Sequence, residues 1–346
     1  MAINIYKHCD SASAGGGDGS TWALAGANAA YTEAELEVFL EGAVVAGDII
    51  FVKDGVYTFD SDYDFTLRDG TAVSPIAIIG VKAGTINVGA NVVYDDWARD
   101  AADRPFFDGV TFVFRTSDYN IIRNIDFQSA AAQTVYLEIS DLVENCKFDN
   151  DFGASGARYA LYTVSFPRVI NCEFVTANCR GVNLSMGGIV LYNYFHDIPD
   201  GVNGWAIYMA GDNRSIAFNI FDNCAIGINS PNRDQILALN NTFYGCGVAI
   251  SETTGFNWVA INNLLEGCTA DGFLWTTQTD SNFFWENHGD DARNVDMWDL
   301  VDTTTIYQDY EVTAGDPLFT VAGANFSLQD TSPNLAAGMS IELGVG

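Results

Sequence analysis

Side chains able to do acid–base chemistry recur in this sequence at a fixed offset from an aromatic position. The residue just after that position reads, in successive repeats, Gln128, Asp149, Val175, His196, Asp222, Tyr244, Glu266 and Trp285. If the repeats stack, carboxylates of neighbouring repeats share one outer face. There they could gather the six to eight oxygens that calcium takes, or supply the paired carboxyls of glycoside hydrolysis. Asp197 and Asp200 extend the set in the loop His196-Asp-Ile-Pro-Asp200. Arg180, Arg214 and Arg233 fall near turns of consecutive repeats and could line one edge as cations. The plainer readings stand beside these. Val175 and Tyr244 interrupt the acids, an acidic chain carries solvated acids anywhere, a capping turn explains the loop, and Asp212 and Asp234 are ready ion partners for the arginines. Asp197, Asp222, Glu266 and Arg214 are therefore candidates, with no catalytic set assigned. Trp285 and Trp298, in an acidic stretch, are candidate ligand contacts. Trp205, Trp258 and Trp275 sit in strand-like runs and read as core.

The elements that must position these residues follow from a repeat. An Asn-plus-aromatic motif appears as Asn124-Ile-Asp-Phe127, Asn145-Cys-Lys-Phe148, Asn171-Cys-Glu-Phe174, Asn193-Tyr-Phe195, Asn219-Ile-Phe221, Asn241-Thr-Phe243, Asn263-Leu-Leu265 and Asn282-Phe-Phe284. Its mean period of about 22 residues lies in the range of solenoids. Each period holds short alternating runs such as Trp205-Ala-Ile-Tyr-Met209 and Ile236-Leu-Ala-Leu239, broken by Gly, Asn, Pro or Asp. These runs are too short for helices, and the period is about half of a four-stranded propeller blade. The expected fold is all-β: a single-stranded right-handed parallel β-helix with a short N-terminal capping helix. Stacked about 4.8 Å apart, the coils should line up Asn219, Asn241 and Asn263 as an amide ladder. Phe221 and Phe243 should form an interior apolar column, and Cys224, Cys246 and Cys268 a reduced, buried one.

One domain is expected over 1–346, divided into an N-terminal strand and cap (1–48), coils (49–284) and an irregular C-terminal coil and tail (285–346). Thr32-Glu-Ala-Glu35 is a capping box opening the helix, and Tyr94–Pro105 reads as a loop that leaves the solenoid. The chain has 45 acidic residues against 15 Lys and Arg, a net charge of −30. That balance argues against binding nucleic acid. No stretch approaches the roughly 18 apolar residues that would insert into a membrane. Seven cysteines without a Cys-x-x-Cys pair argue against a zinc site or a disulfide framework. The start, Met1-Ala-Ile-Asn-Ile-Tyr6, lacks the pattern of a signal peptide, so synthesis in a host cytoplasm is expected.

Three segments resemble the pectate-lyase-like right-handed β-helix superfamily: Gly15-Gly-Gly-Asp-Gly-Ser-Thr-Trp22, Ala46-Gly-Asp-Ile-Ile-Phe-Val-Lys-Asp-Gly-Val-Tyr57, and Asp316-Pro-Leu-Phe319 with Phe326 and Ser332-Pro333. Asp96-Trp97, Arg104-Pro105 and Tyr119–Phe127 also resemble β-helix virion proteins of tailed bacteriophages. The resemblance implies a non-enzymatic component displayed on the head or tail of a phage particle. That component would sit on the virion surface with other virion proteins as partners, self-associate as a trimer, and contact polysaccharide. The same superfamily implies two alternatives: a polysaccharide lyase or glycoside hydrolase working on an external face, and a carbohydrate-binding adhesin. No cofactor is required by the first reading, and Ca²⁺ is the one the enzymatic reading would call for.

Overall fold

The structure is a computed structural model that describes residues 6–59, 64–66, 68–81, 104–109, 113–129, 133–150, 159–176, 180–199, 204–252, 257–275, 283–285, 287–289, 298–300, 307–309, 319–321 and 325–328. The chain is a right-handed parallel β-solenoid with one short helix among the described residues. Each full coil lays one strand in each of three parallel sheets, in the order I, II, III. One coil, for example, runs Asn120–Arg123, Asp126–Ser129 and Gln133–Ile139. Sheet I has twelve strands, and sheets II and III have ten each.

The turn from sheet I to sheet II is two residues long, with its first residue in the left-handed region. Asn124, Asn145, Asn171, Asn240 and Asn262 occupy it at φ between 51° and 56°. Asparagine tolerates that conformation better than other L-residues, which is why it marks the repeat. The sequence motif had merged two adjacent asparagine columns. The second, one residue further on, points inward: Asn193, Asn219, Asn241, Asn263 and Asn287 are all at most 2% exposed. In that column each Nδ2 donates to the Oδ1 of the next member, at 2.9 Å from Asn193 to Asn219 and 3.0 Å for the two steps that follow. Each Oδ1 also accepts the preceding asparagine's backbone N–H. In earlier coils Cys146 and Cys172 fill the inward position, both buried.

The ladder also corrects the register of the last repeat. Its next member is Asn287, which accepts from Asn263 Nδ2 at 2.8 Å, and Gly289 stands opposite Leu265. Phe283–Trp285 lies instead in sheet I beside Val259–Ile261. An Asn-Phe-Phe string imitated the motif one sheet too early, and Asn282 itself lies outside the described residues.

Interior columns follow coil spacing. Phe127, Phe148, Phe174, Phe195, Phe221 and Phe243 stack with centroids 4.6–5.4 Å apart and planes within 13°. Rings in neighbouring strands thus meet face to face at nearly the strand separation. Cys224, Cys246 and Cys268 are free and buried, and burial raises the Cys224 and Cys268 thiols well above their usual range. At the N-terminal end, helix Glu33–Gly42 carries the Thr32/Glu35 capping box and turns Leu36, Phe39 and Leu40 onto the core. It thereby closes the first coil. Pro105 begins a strand of sheet II, Pro105–Gly109, because no sheet donor is needed at a strand's first residue. The rest of the expected Tyr94–Pro105 loop, up to residue 103, lies outside the described residues. Near the C-terminus Phe319–Val321 pairs antiparallel with Asn325–Leu328.

Candidate active site

Side chains alternate along the strands of sheet II, so the interior phenylalanine of each coil is flanked by two outward residues. The following residue gives the column Asp149, Val175, His196, Asp222, Tyr244, Glu266. The preceding residue gives a second column on the same face: Asp126, Lys147, Glu173, Tyr194, Ile220, Thr242. Reading only the residue after the aromatic misses this second column. The signal that finds it is the same repeat taken at minus one.

Together the columns form a connected polar network across five coils. Arg104 Nη1 lies 2.8 Å from Asp126 Oδ1. Lys147 Nζ lies 3.2 Å from Glu173 Oε1 and 3.9 Å from Asp149 Oδ2. The same Glu173 oxygen is 3.2 Å from His196 Nε2, and His196 Nδ1 is 3.0 Å from Asp197 Oδ2. Asn223 Nδ2 donates to Asp197 Oδ1 at 3.0 Å. Tyr194 stacks on the imidazole with centroids 4.4 Å apart and donates its hydroxyl to Asp222 Oδ2 at 3.1 Å.

The environment drives these groups apart in charge. A hydrogen bond from His196, aided by Lys147 against partial burial, holds Glu173 down at about 2. Burial pulls the His196 imidazolium down, but hydrogen bonds to Glu173 and Asp197 outweigh it and its pKa ends above the ordinary 6.5. Asp197 is lowered by His196 and then by Asn223. Burial raises Asp126 to about 6 despite Arg104 and Lys147, and it raises Asp222. Tyr194 is raised by burial and by the charge of Asp222, so its hydroxyl keeps its proton. One surface thus holds a carboxylate favoured in its charged form, an imidazole whose protonated form is stabilised and a phenol that keeps its proton.

A pH effect follows from these directions. The histidine's share of stability is complete below about 6.5 and is lost as pH rises through its raised folded value. The Glu173 share is complete above the ordinary 4.5 and is lost as pH falls toward about 2. Melting temperature followed against pH should therefore fall as pH rises above about 6.5 in the native chain. His196→Gln should flatten that limb and leave the acid limb, where many carboxylates act, largely in place.

The structure brings Asp197 and Asp222 together around His196. It leaves Glu266 on the same face two coils further on, at 7% exposure. Arg214 is a correction. It shares strand parity with the core residue Ile216, lies inside sheet I at 2% exposure, and donates from Nη2 to Leu184 O at 2.8 Å. It cannot act on the outer face of sheet II. Trp205 corrects the core assignment in the other direction. It is only half-buried on sheet III, stacked on Tyr208 at 4.9 Å, with the Arg180 guanidinium 3.7 Å over its ring. Tyr136 and Tyr162 stack at 5.0 Å on the same sheet, with Arg115 over Tyr136. That surface could present stacked rings and cations to a sugar chain. Trp258 is fully buried. The backbones of Trp285 and Trp298 lie in strands of sheets I and III, but their side chains, with that of Trp275 and all of Asp200, lie outside the described residues. As for calcium, no three His, Cys, Asp or Glu side chains converge as a metal-binding group among the described residues. Asp126 and Glu173 are already committed to Arg104 and Lys147, a poor fit to a calcium cage.

Fold and outer-face network define the chain as a right-handed parallel β-helix with an ionisable external surface. Among solved structures it is similar in fold to the pectate lyase Pel9A, with a TM-score of 0.53 and 15% identity over 100% of this chain and 94% of that one. It is equally similar to XylC in complex with xylose, with a TM-score of 0.53 and 9% identity over 84% of this chain and 76% of that one. No protein-family model matches the sequence, and no curated protein matches it.

Proposed function

We propose that this chain is a polysaccharide lyase that works on the outer face of sheet II, with Lys147, Tyr194 and His196 at its centre. The observation that carries this is the stacked Tyr194–His196 pair, joined to Lys147 through the Glu173 oxygen that both His196 and Lys147 contact. In a β-elimination on a uronate, Lys147 meets the sugar carboxylate and makes the neighbouring C5 proton more acidic. His196, once neutral and with the exposed Asp197 displaced by substrate, takes that proton. The electron pair forms the C4–C5 double bond, the C4–O bond breaks, and the Tyr194 hydroxyl gives its proton to the leaving oxygen. Asp222 aims the hydroxyl and Glu173 orients the imidazole. The likeness to a pectate lyase over almost the full length of both chains supports the reading at the level of fold, which many chemistries share.

Mass spectrometry of digested polyuronates tests it. Elimination leaves a new non-reducing end lighter by one water than hydrolysis would. Saturated ends alone would move the chain to the hydrolases. The charge of −30 adds an expectation about salt, because the chain as a whole repels a polyanion. Raising ionic strength within the Debye-screening range should lower KM for a polyuronate and leave KM for a methyl-esterified one nearly unchanged. The reading as a phage particle component, with virion partners, a trimer and a virion-surface location, rests on the sequence alone: the phage-like segment, the start without a signal pattern, a chain made almost only of coils, and no catalytic set assembled by spacing. The outer-face network favours the enzymatic alternative over it.

A further inference from the structure

We infer that His8 is an acid-released latch that holds the loop 11–30 over the outer face of the first coil. The loop folds back on itself. Asp18 N–H donates to Ala27 O at 3.1 Å, Gly19 N–H to Ala29 O at 2.9 Å and Ala30 N–H to Ala23 O at 2.8 Å. Glycine permits this close approach, since a Cβ at Gly17 would stand 2.2 Å from Ala29 O. Most of the loop's side chains are exposed, so its own bonds keep it together while few buried contacts seat it on the body. Such a segment opens as a unit, at lower cost than the coils beneath it.

The seat is the outer face of sheet I. There Phe51, Ala77, Ile79 and Val81 are 2–6% exposed and form an apolar cluster, with Tyr6 and Trp22 packed against it. Trp22 comes from the loop. The His8 ring joins the two, edge-on to Trp22 at 4.5 Å and tilted on Phe51 at 6.0 Å.

Hydrogen bonds fix the tautomer of that ring. Gly19 O accepts from the His8 backbone N–H at 2.8 Å and from ring Nδ1 at 3.0 Å. A carbonyl oxygen only accepts, so Nδ1 carries the proton and Nε2 is bare. The residue is 2% exposed, and Nε2 meets no partner among the described residues. A second proton on Nε2 would create a buried charge and a donor without an acceptor.

The charged groups around the ring offer no relief. Lys7, beside it in the strand, adds repulsion; its Nζ donates to Asp18 O and stands 5.6 Å over the Tyr31 ring. Asp10 is held by Lys53 Nζ at 2.8 Å, from strand Ile49–Lys53. The Asp18 carboxylate accepts the Ser20 N–H at 2.9 Å, and Glu35 of the helix accepts the Gly16 N–H. Burial pulls the His8 pKa below the ordinary 6.5, against the Gly19 bond and with the help of Lys7. The latch is therefore complete above 6.5 and is lost as pH falls through the lowered folded value. This is opposite in sign to His196. Release would uncover Phe51 and Ile79.

Hydrogen–deuterium exchange of peptides covering 8–31, corrected for the intrinsic pH dependence of exchange, tests this at about pH 7.5 and about pH 5. Protection of the native loop should drop roughly tenfold at the lower pH, the scale of one buried donor left without a partner. Helix Glu33–Gly42 and the later coils should keep theirs. His8→Gln retains a donor toward Gly19 O and cannot take a charge, so its loop should exchange alike at both values. Magnetic resonance of the native chain gives a second reading that needs no variant, because the chain has three histidines. The His8 signal should titrate below 6.5, in step with the loop amides. A native loop equally protected at both values, the same loss of protection in His8→Gln, or a His8 that titrates above 6.5 overturns the inference.

Discussion

Tyr194→Phe should reduce turnover on a cleaved polyuronate by about 10³-fold, within the range for loss of a general acid or base, while KM moves little. The substitution keeps the ring that stacks on His196 and removes only the hydroxyl that reaches Asp222. A loss in kcat without a loss of folding therefore reports proton donation and not packing. His196→Gln should cost a similar factor, and it adds a signature that a structural role would not. In the native chain the rate should climb with pH through the raised pKa of His196, because only the neutral ring accepts a proton. In the glutamine variant the residual rate should lose that climb. Rates measured from about pH 5 to pH 10 for the three proteins check this.

Asn241→Ala should destabilise the solenoid by about 4 kcal/mol, counted as two buried groups, the Asn219 backbone N–H and Ile216 O, that lose this partner at roughly 1–3 kcal/mol each. The amide Nδ2 bonds Ile216 O at 2.9 Å and Asn263 Oδ1 at 3.0 Å, and Oδ1 receives the Asn219 backbone N–H and side-chain amide, both at 3.0 Å. Alanine removes all of these in a position 1% exposed, where water cannot substitute. By contrast Asn262→Ala, in the partly exposed corner column, loses a side-chain bond to Asn240 near solvent and should cost about 1 kcal/mol. Chemical denaturation of the two variants measures the difference. Equal effects would mean that the interior ladder is no more than another surface turn.

Much of the architecture was legible because the repeat forces it. A phenylalanine every 20 to 26 residues can stack only if successive coils superpose, and asparagine at a left-handed corner leaves an obvious mark. Two features hid the rest. The corner and interior asparagine columns differ by one residue, so a motif tolerant of one residue merged them, and the same tolerance admitted Asn282-Phe-Phe284. The candidate site was half legible. Asp197, His196 and Asp222 follow the aromatic position and were visible. Lys147, Glu173 and Tyr194 precede it and carry no such mark, although period-two alternation places both sets on one face. Arg214 misled because spacing gives no sense of inside and outside where a strand begins. Its parity with Ile216 decides that, and parity requires knowing where the corner ends.

The most direct test of the central claim follows the ultraviolet absorbance of unsaturated uronate ends while native protein and Tyr194→Phe act on a panel of uronate-containing polysaccharides. Each reaction is run with Ca²⁺ and with chelator. The account predicts that absorbance rises for at least one uronate polymer with the native chain, persists in chelator, and is lost with Tyr194→Phe. No rise on any polymer, or a rise that Tyr194→Phe leaves intact, would contradict catalysis by the outer face of sheet II.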